Sequence, residues 1–242
     1  MPTETPVLEP LPTLPDQPKT VRILDVSAWQ VPSRLNYDAA ARIYTGAIVR
    51  ACYGSKPDKR CVEHVRGFRD AGCAVSLYAF WRAAENAVDQ WHCFNAMADA
   101  VRYGPGDWAP ACDIENDGTS EVCPDWSKPA QAFVQALEGQ FGGCLVYCSK
   151  LNWERMGEPA WMLERPLWVP HWGVTDPDTP GDRPWTIHQT GAELVPDVYP
   201  YQLDQDVARL PLPVIQDKAA ERRRIEGLIA LTADQVRRSN RP

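Results

Sequence analysis

The order of apolar runs along this chain predicts an α/β fold, an incomplete TIM-like barrel of the form (β/α)5(β)3. Three observations predict it. Short β-rich runs alternate with helical stretches over the first two thirds of the chain, a pattern that implies parallel strands joined by right-handed crossovers. Three further strand-like runs follow with little helix between them. Acidic residues recur at the ends of strands, where barrels of parallel strands keep their chemistry.

Residues 1–19 hold Pro2, Pro6, Pro10, Pro12, Pro15 and Pro18. Proline removes backbone donors and favours extended chain, so this segment reads as an arm, either a disordered leader or a strap for a partner chain. The barrel domain spans 20–212. Its first strand is expected at 21–26, with helix around 37–43, strand at 47–50, and helix over 61–71 that stops at Gly72. Strand 74–80, helix 84–101 and strand 109–114 come next. Helix 130–141 ends at Gly142-Gly143, as helix C-termini prefer. A fifth strand covers 144–148, and shorter runs lie at 167–169, 185–189 and 201–207. Residues 213–242 differ in composition. Lys218, Arg222, Arg223, Arg224, Arg237, Arg238 and Arg241 outnumber Asp217, Glu221, Glu226 and Asp234, while Ile225, Leu228, Ile229 and Val236 fall at roughly helical spacing. This segment reads as a basic amphipathic helix, packed on the barrel or docked on an assembly partner.

Composition narrows the function classes. The chain has 242 residues, 44% of them hydrophobic, enough for one sizeable core. A formal charge of −7 without a basic block in the barrel argues against nucleic acid as a partner. No apolar run is long enough to span a membrane, and no signal peptide is legible, so a target outside the cell would call for another route of delivery. The eight cysteines lack metal or redox spacing and are expected as mostly buried free thiols, with one surface disulfide conceivable. His64, His92, His171 and His188 show no zinc-ligand pattern, and nothing calls for a metal or another cofactor. Ten tryptophans and eight tyrosines are compatible with a glycan ligand, although most are expected to pack in the core or rim.

The acids carry the functional expectation. Asp25 ends the first strand, Asp113 and Glu115 end the fourth, and Asp204 and Asp206 lie in the last. Residues two apart in a strand share a face, so Asp113 and Glu115 point together and Ile114 points away. Neighbouring carboxylates repel, which holds a proton on one of them to higher pH. A carboxylic acid still protonated near neutrality can protonate a leaving glycosidic oxygen. Such a cluster could alternatively hold a hard cation.

These segments, in order from about residue 21 to about 210, resemble glycoside hydrolase family 25, the Chalaropsis-type lysozymes of bacteria, phages and some fungi. Asp25-Val-Ser-Ala-Trp29-Gln30 is similar to the family's opening, and Gly46 to Gly54 with Asp58 to its second strand. Ser76 to Arg82, the D-x-E of Asp113 and Glu115, and Tyr147 with Asn152-Trp153 follow. Leu167-Trp168, Trp185 to Gln189 and Asp204-Gln-Asp206 complete the set. The resemblance implies a barrel of eight strands and five helices. It also implies cleavage of peptidoglycan at the β-1,4 bond from N-acetylmuramic acid to N-acetylglucosamine. By position, Glu115 is the general acid, and Asp113 orients the substrate's 2-acetamido group. Asp25 and Asp204 stabilise developing positive charge, and Tyr78, Arg82, Tyr147, Trp168, Gln189 and Asp206 line the cleft. Departures from the pattern are Ala79 for His, His188 for Trp, Asp206 for Asn, and Pro170 and Trp172 after Trp168. The Asp206 exchange leaves open which of Asp204 and Asp206 reaches the site.

Two functions from different classes fit. One is an active muramidase, an endolysin or a virion-associated lysozyme of a bacteriophage. The other is a phage structural or wall-binding protein that keeps the fold with little activity, touching other virion proteins through 1–19 and 213–242.

Overall fold

The computed structural model describes residues 20–116, 118 and 121–217. The Pro-rich arm and residues 218–242, which hold most of the expected C-terminal helix, lie outside the described residues. The strands are β1 (Thr20–Val26), β2 (Gly46–Tyr53), β3 (Lys56–Pro57), β4 (Ala74–Phe80), β5 (Ala111–Asp113), β6 (Leu145–Tyr147), β7 (Leu167–Pro170), β8 (Ile187–Leu194) and β9 (Gln202–Arg209). β3 is a two-residue hairpin arm on β2. Among the described residues the other eight strands close a barrel in the order β1-β2-β4-β5-β6-β7-β8-β9. All neighbours are parallel except β9, which runs antiparallel to β8 and to β1. The helices are α1 (Tyr37–Ile43), α2 (Cys61–Asp70), α3 (Ala87–Ala100), α4 (Ser127–Phe141) and α5 (Lys150–Arg155). Five strand–helix units followed by three strands is the expected architecture.

Local chemistry sets the ends of these elements. The Asn36 and Asn86 side chains accept the first free amides of α1 and α3, from Ala39 and Val88. Gly142 takes a left-handed conformation (φ 85°) and closes α4. β5 is shorter than the expected run of 109–114. Pro110 has no N–H to give, and the preceding residues are engaged elsewhere: Trp108 pairs with Val214, and Ala109 N donates to Pro213 O at 2.7 Å. Residues 213–215 are thereby stitched to the base of the barrel, with Ile215 buried.

Side-chain alternation divides the apolar residues into two layers. Leu24, Val49, Leu77, Ile114 and Val146 point outward against Phe68, Phe94, Phe133 and Leu137 of the helices. Ile23, Ile48, Ala111, Leu145, Ile187 and Ala208 fill the barrel interior. Each interior apolar residue is followed two positions nearer the mouth by a larger or polar one, as in Ile23/Asp25, Ile48/Arg50, Ala111/Asp113, Leu145/Tyr147 and Ile187/Gln189. The same two-residue period thus packs the base and equips the mouth. All eight cysteines are free thiols, mostly buried. Among the described residues no helix is long and apolar enough to cross a membrane.

Candidate active site

The mouth of the barrel opens into a cleft of about 480 Å³. Its floor and walls include Asp25, Arg50, Tyr78, Asp113, Glu115, Tyr147, Trp168, Gln189 and Asp204, and Ser27, Trp29, Gln30, Tyr53, Phe80, Asn116 and Trp172 complete the rim. Strand register explains the convergence. Phe80 and Tyr147 flank Asp113 across β4 and β6, and Asp25 lies opposite Asp204 across β1 and β9. Glu115 sits beyond the end of β5 and shares the cleft with Asp113, while Ile114 between them is buried outside the barrel.

The carboxyls are held by few donors. Asp25 Oδ2 accepts from Gln189 Nε2 at 2.9 Å. Gln189 is itself fixed, since its Oε1 accepts from the Tyr147 hydroxyl and from Trp172 Nε1, each at 3.0 Å. Asp113 Oδ1 is buried and meets no donor. Burial therefore dominates their acidity. Loss of water pushes the Glu115 carboxyl up to about 7, and the charge of Asp204 adds to this. Asp25 also rises to about 7, through burial and then Asp204, against the opposing hydrogen bond from Gln189. Asp113 is raised well above the carboxylate range by burial, Glu115 and Asp25, with Arg50 pulling the other way. Burial raises Asp204 as well.

Two of the expected site residues stand apart from the cleft wall. Arg82 pairs with Glu85 at 2.6 Å and lies over the Tyr53 ring. Asp206 faces the interior like Asp204, but deeper, and it accepts from Trp168 Nε1 at 2.8 Å. Asp204 is the one of the two that reaches the cleft. Tyr78 and Tyr147 each pack edge-on against Trp168. His188, in the place of the family's Trp, is buried outside the barrel with Nε2 at 2.8 Å from His171 O.

The structure gives roles to residues that were quoted for the resemblance without one. Arg50 forms a buried ion pair with Asp58 at 2.8 Å. Asp58 also accepts the backbone amides of Ala28 and Arg60 at 2.8 and 2.9 Å, so it ties the loop carrying Trp29 to β2 and to the start of α2. Trp29 and Trp172 are 81% and 57% exposed at the rim, and two large apolar rings left in water at a cleft mouth are placed for contact with a ligand. The available signal for both was a tryptophan in a polar loop directly after a strand. Among the described residues no cluster of three or more His, Cys, Asp or Glu side chains forms a cation site.

A family model for glycosyl hydrolases family 25 matches residues 24–198. This chain belongs to glycosyl hydrolase family 25. The acid-lined mouth is accordingly the mouth of a glycoside hydrolase. Solved structures share the fold. A bacterial lysozyme from Streptomyces coelicolor superposes with a TM-score of 0.67 at 23% identity, over 77% of this chain and 90% of that one. A muramidase from Trichobolus zukalii gives 0.66 at 22% identity, over 79% and 95%. The catalytic domain of an endolysin from a Listeria monocytogenes bacteriophage gives 0.64 at 18% identity, over 79% and 94%. No curated protein sequence matches the chain.

Proposed function

We propose that this glycosyl hydrolase is a muramidase that cuts peptidoglycan at the β-1,4 bond from N-acetylmuramic acid to N-acetylglucosamine. One observation carries the reading: Glu115, at the open mouth, keeps its proton up to about 7 beside Asp113, whose buried Oδ1 lacks a donor. Glu115 gives its proton to the glycosidic oxygen as the bond to the anomeric carbon breaks. The acetamido oxygen of the same sugar closes on that carbon, a substrate-assisted route. Asp113 Oδ1, which no protein donor reaches, accepts the acetamido N–H and so orients the attacking group. Asp25 and Asp204, facing each other across two strands, stabilise the positive charge that develops on the ring. Water then opens the cyclic intermediate and returns a proton to Glu115. Trp29 and Trp172 at the rim offer faces for flanking sugars.

Clearing of a suspension of purified peptidoglycan tests this. Glu115→Gln keeps the shape and loses the proton, so clearing should fall by about 10²–10⁴-fold. Equal, poor clearing by both forms would sink the enzymatic reading in favour of a wall-binding role. The new reducing ends should be N-acetylmuramic acid; N-acetylglucosamine ends would show that the other bond is cut.

A further inference from the structure

Asp206 is a buried acid that the mechanism above does not use. It lies in β9, two residues deeper than Asp204, and is 2% exposed. Oδ1 accepts from Trp168 Nε1 at 2.8 Å. Oδ2 is buried and meets no N–H or O–H donor. The Asp25 carboxyl is within hydrogen-bonding reach of the Asp206 carboxyl. Asp25 and Gln189 are also coupled at 2.9 Å, and Gln189 lies across from Asp206 in the β8–β9 register. Two carboxylates facing each other out of water, with one oxygen unpartnered, are satisfied only when a proton lies between them.

We propose that Asp206 retains a proton which it donates to Asp25, making Asp206 a positioning residue that holds Asp25 in its charged form and aimed at the cleft. The reading rests on the muramidase assignment for its kinetic consequence but not for the proton itself. Asp25 then receives two hydrogen bonds, one from Gln189 Nε2 and one from Asp206, and both favour its carboxylate. Asp206 needs no charge of its own, and Trp168 fixes its other oxygen. The titratable groups acting on it or feeling it are Asp25 from β1, Asp204 from β9, Tyr147 from β6 and Tyr44 before β2. The neighbours from β7 and β8, Trp168 and Gln189, do not titrate. Burial and the two acids all favour the protonated form. The pair therefore titrates as a unit, and once Asp25 ionises, at about 7, a single proton remains between the two. Where the family pattern has Asn, an amide would supply the same donor permanently.

Three variants of the full chain test this. Asp206→Asn keeps a donor to Asp25 and should retain most of the peptidoglycan-clearing activity, with the acid side of the pH profile where wild type has it. Asp206→Leu has similar size and no donor. It should lower kcat by about ten- to a hundredfold with little change in KM, and move the acid side up by about one to two pH units. An Asn variant as inactive as the Leu variant, or a Leu variant with an unmoved acid side, overturns the proposal. Infrared difference spectra give a readout independent of turnover. Wild type near neutral pH should show the carbonyl stretch of a buried protonated carboxylic acid that Asp206→Asn lacks, also in the Glu115→Gln background. If that band is unchanged by Asp206→Asn the proposal fails, even if Asp206→Leu does not fold and whatever the enzyme's substrate proves to be.

Discussion

Glu115 and Asp113 divide their tasks because they stand at different depths on one strand extension. Asp113 ends β5 inside the barrel, between Phe80 and Tyr147, and is shut from water. Glu115 is two residues further out and part-exposed, so it can exchange its proton with solvent after each turnover. Its carboxyl titrates near 7, and the general acid must be protonated to act. Activity should therefore fall as pH rises through about 7, and the alkaline side of the kcat/KM profile should be carried by Glu115. Replacing Asp204 by Asn removes the charge that raises Glu115, so this alkaline side should move to lower pH. A profile that stays put in Asp204→Asn would show that burial alone sets the acidity of Glu115. At this scale the spacing of Asp113 and Glu115 was readable as a shared face. The depth difference was not, because it depends on where β5 stops, and Pro110 with the pairing of Trp108 to Val214 decides that.

Among the elements, the segment from β2 to α2 is held by one carboxylate. Asp58 pairs with Arg50 on β2, accepts Ala28 N from the Trp29 loop, and accepts Arg60 N at the start of α2. Arg60 also donates to Ala28 O, and His64 on α2 contacts Gln30 O at 3.0 Å. The Arg50 side chain is 12% exposed and that of Asp58 not at all. Removing one partner of such a pair strands the other charge, at a cost of about 3–5 kcal/mol. Asp58→Ala should then lower Tm by about 10 °C, at about 2–4 °C per kcal/mol for a domain of this size. Thermal melts of Asp58→Ala and Asp58→Asn separate the contributions. The two amides reach different carboxylate oxygens, so Asn keeps an acceptor for one of them and should lose less. Equal loss would mean that the ion pair with Arg50, not the loop anchoring, dominates. The strands were legible as elements because each β-rich run is bounded by a helix or a turn. α5 was not, since six residues offer less than two turns of periodicity, and its start rests on Ser149 accepting Asn152 N. The Arg50–Asp58 link was legible only as two charges eight residues apart, and the Asp25–Gln189 bond joins residues 164 apart that meet only when the barrel closes.

For the whole molecule, the barrel concentrates in one mouth acids that the folded state keeps protonated longer than the unfolded chain does. Asp25 and Glu115 titrate near 7, and Asp113, Asp204 and Asp206 are raised as well, all chiefly by burial. Unfolded, the same side chains titrate near 4. Between those values the native state binds more protons than the unfolded state, so its stability falls as pH rises. The stabilising contribution is fully present below the unfolded values and is lost as pH climbs through the folded ones. His64 works in the opposite direction. Its buried imidazole is held below the usual range, mainly by burial, so charging it on acidification opposes folding. One imidazole stands against five carboxyls, and each retained proton contributes up to about 1.4 kcal/mol per pH unit. The acids should dominate. Tm measured in constant ionic strength should be higher at pH 5 than at pH 7.5, and the slope should be shallower in Glu115→Gln, which has no proton to lose. A Tm that rises from pH 5 to 7.5 would mean that the cleft acids ionise as freely in the fold as in the open chain. The protonated mouth would then have to be abandoned as the origin of both the general acid and the pH dependence.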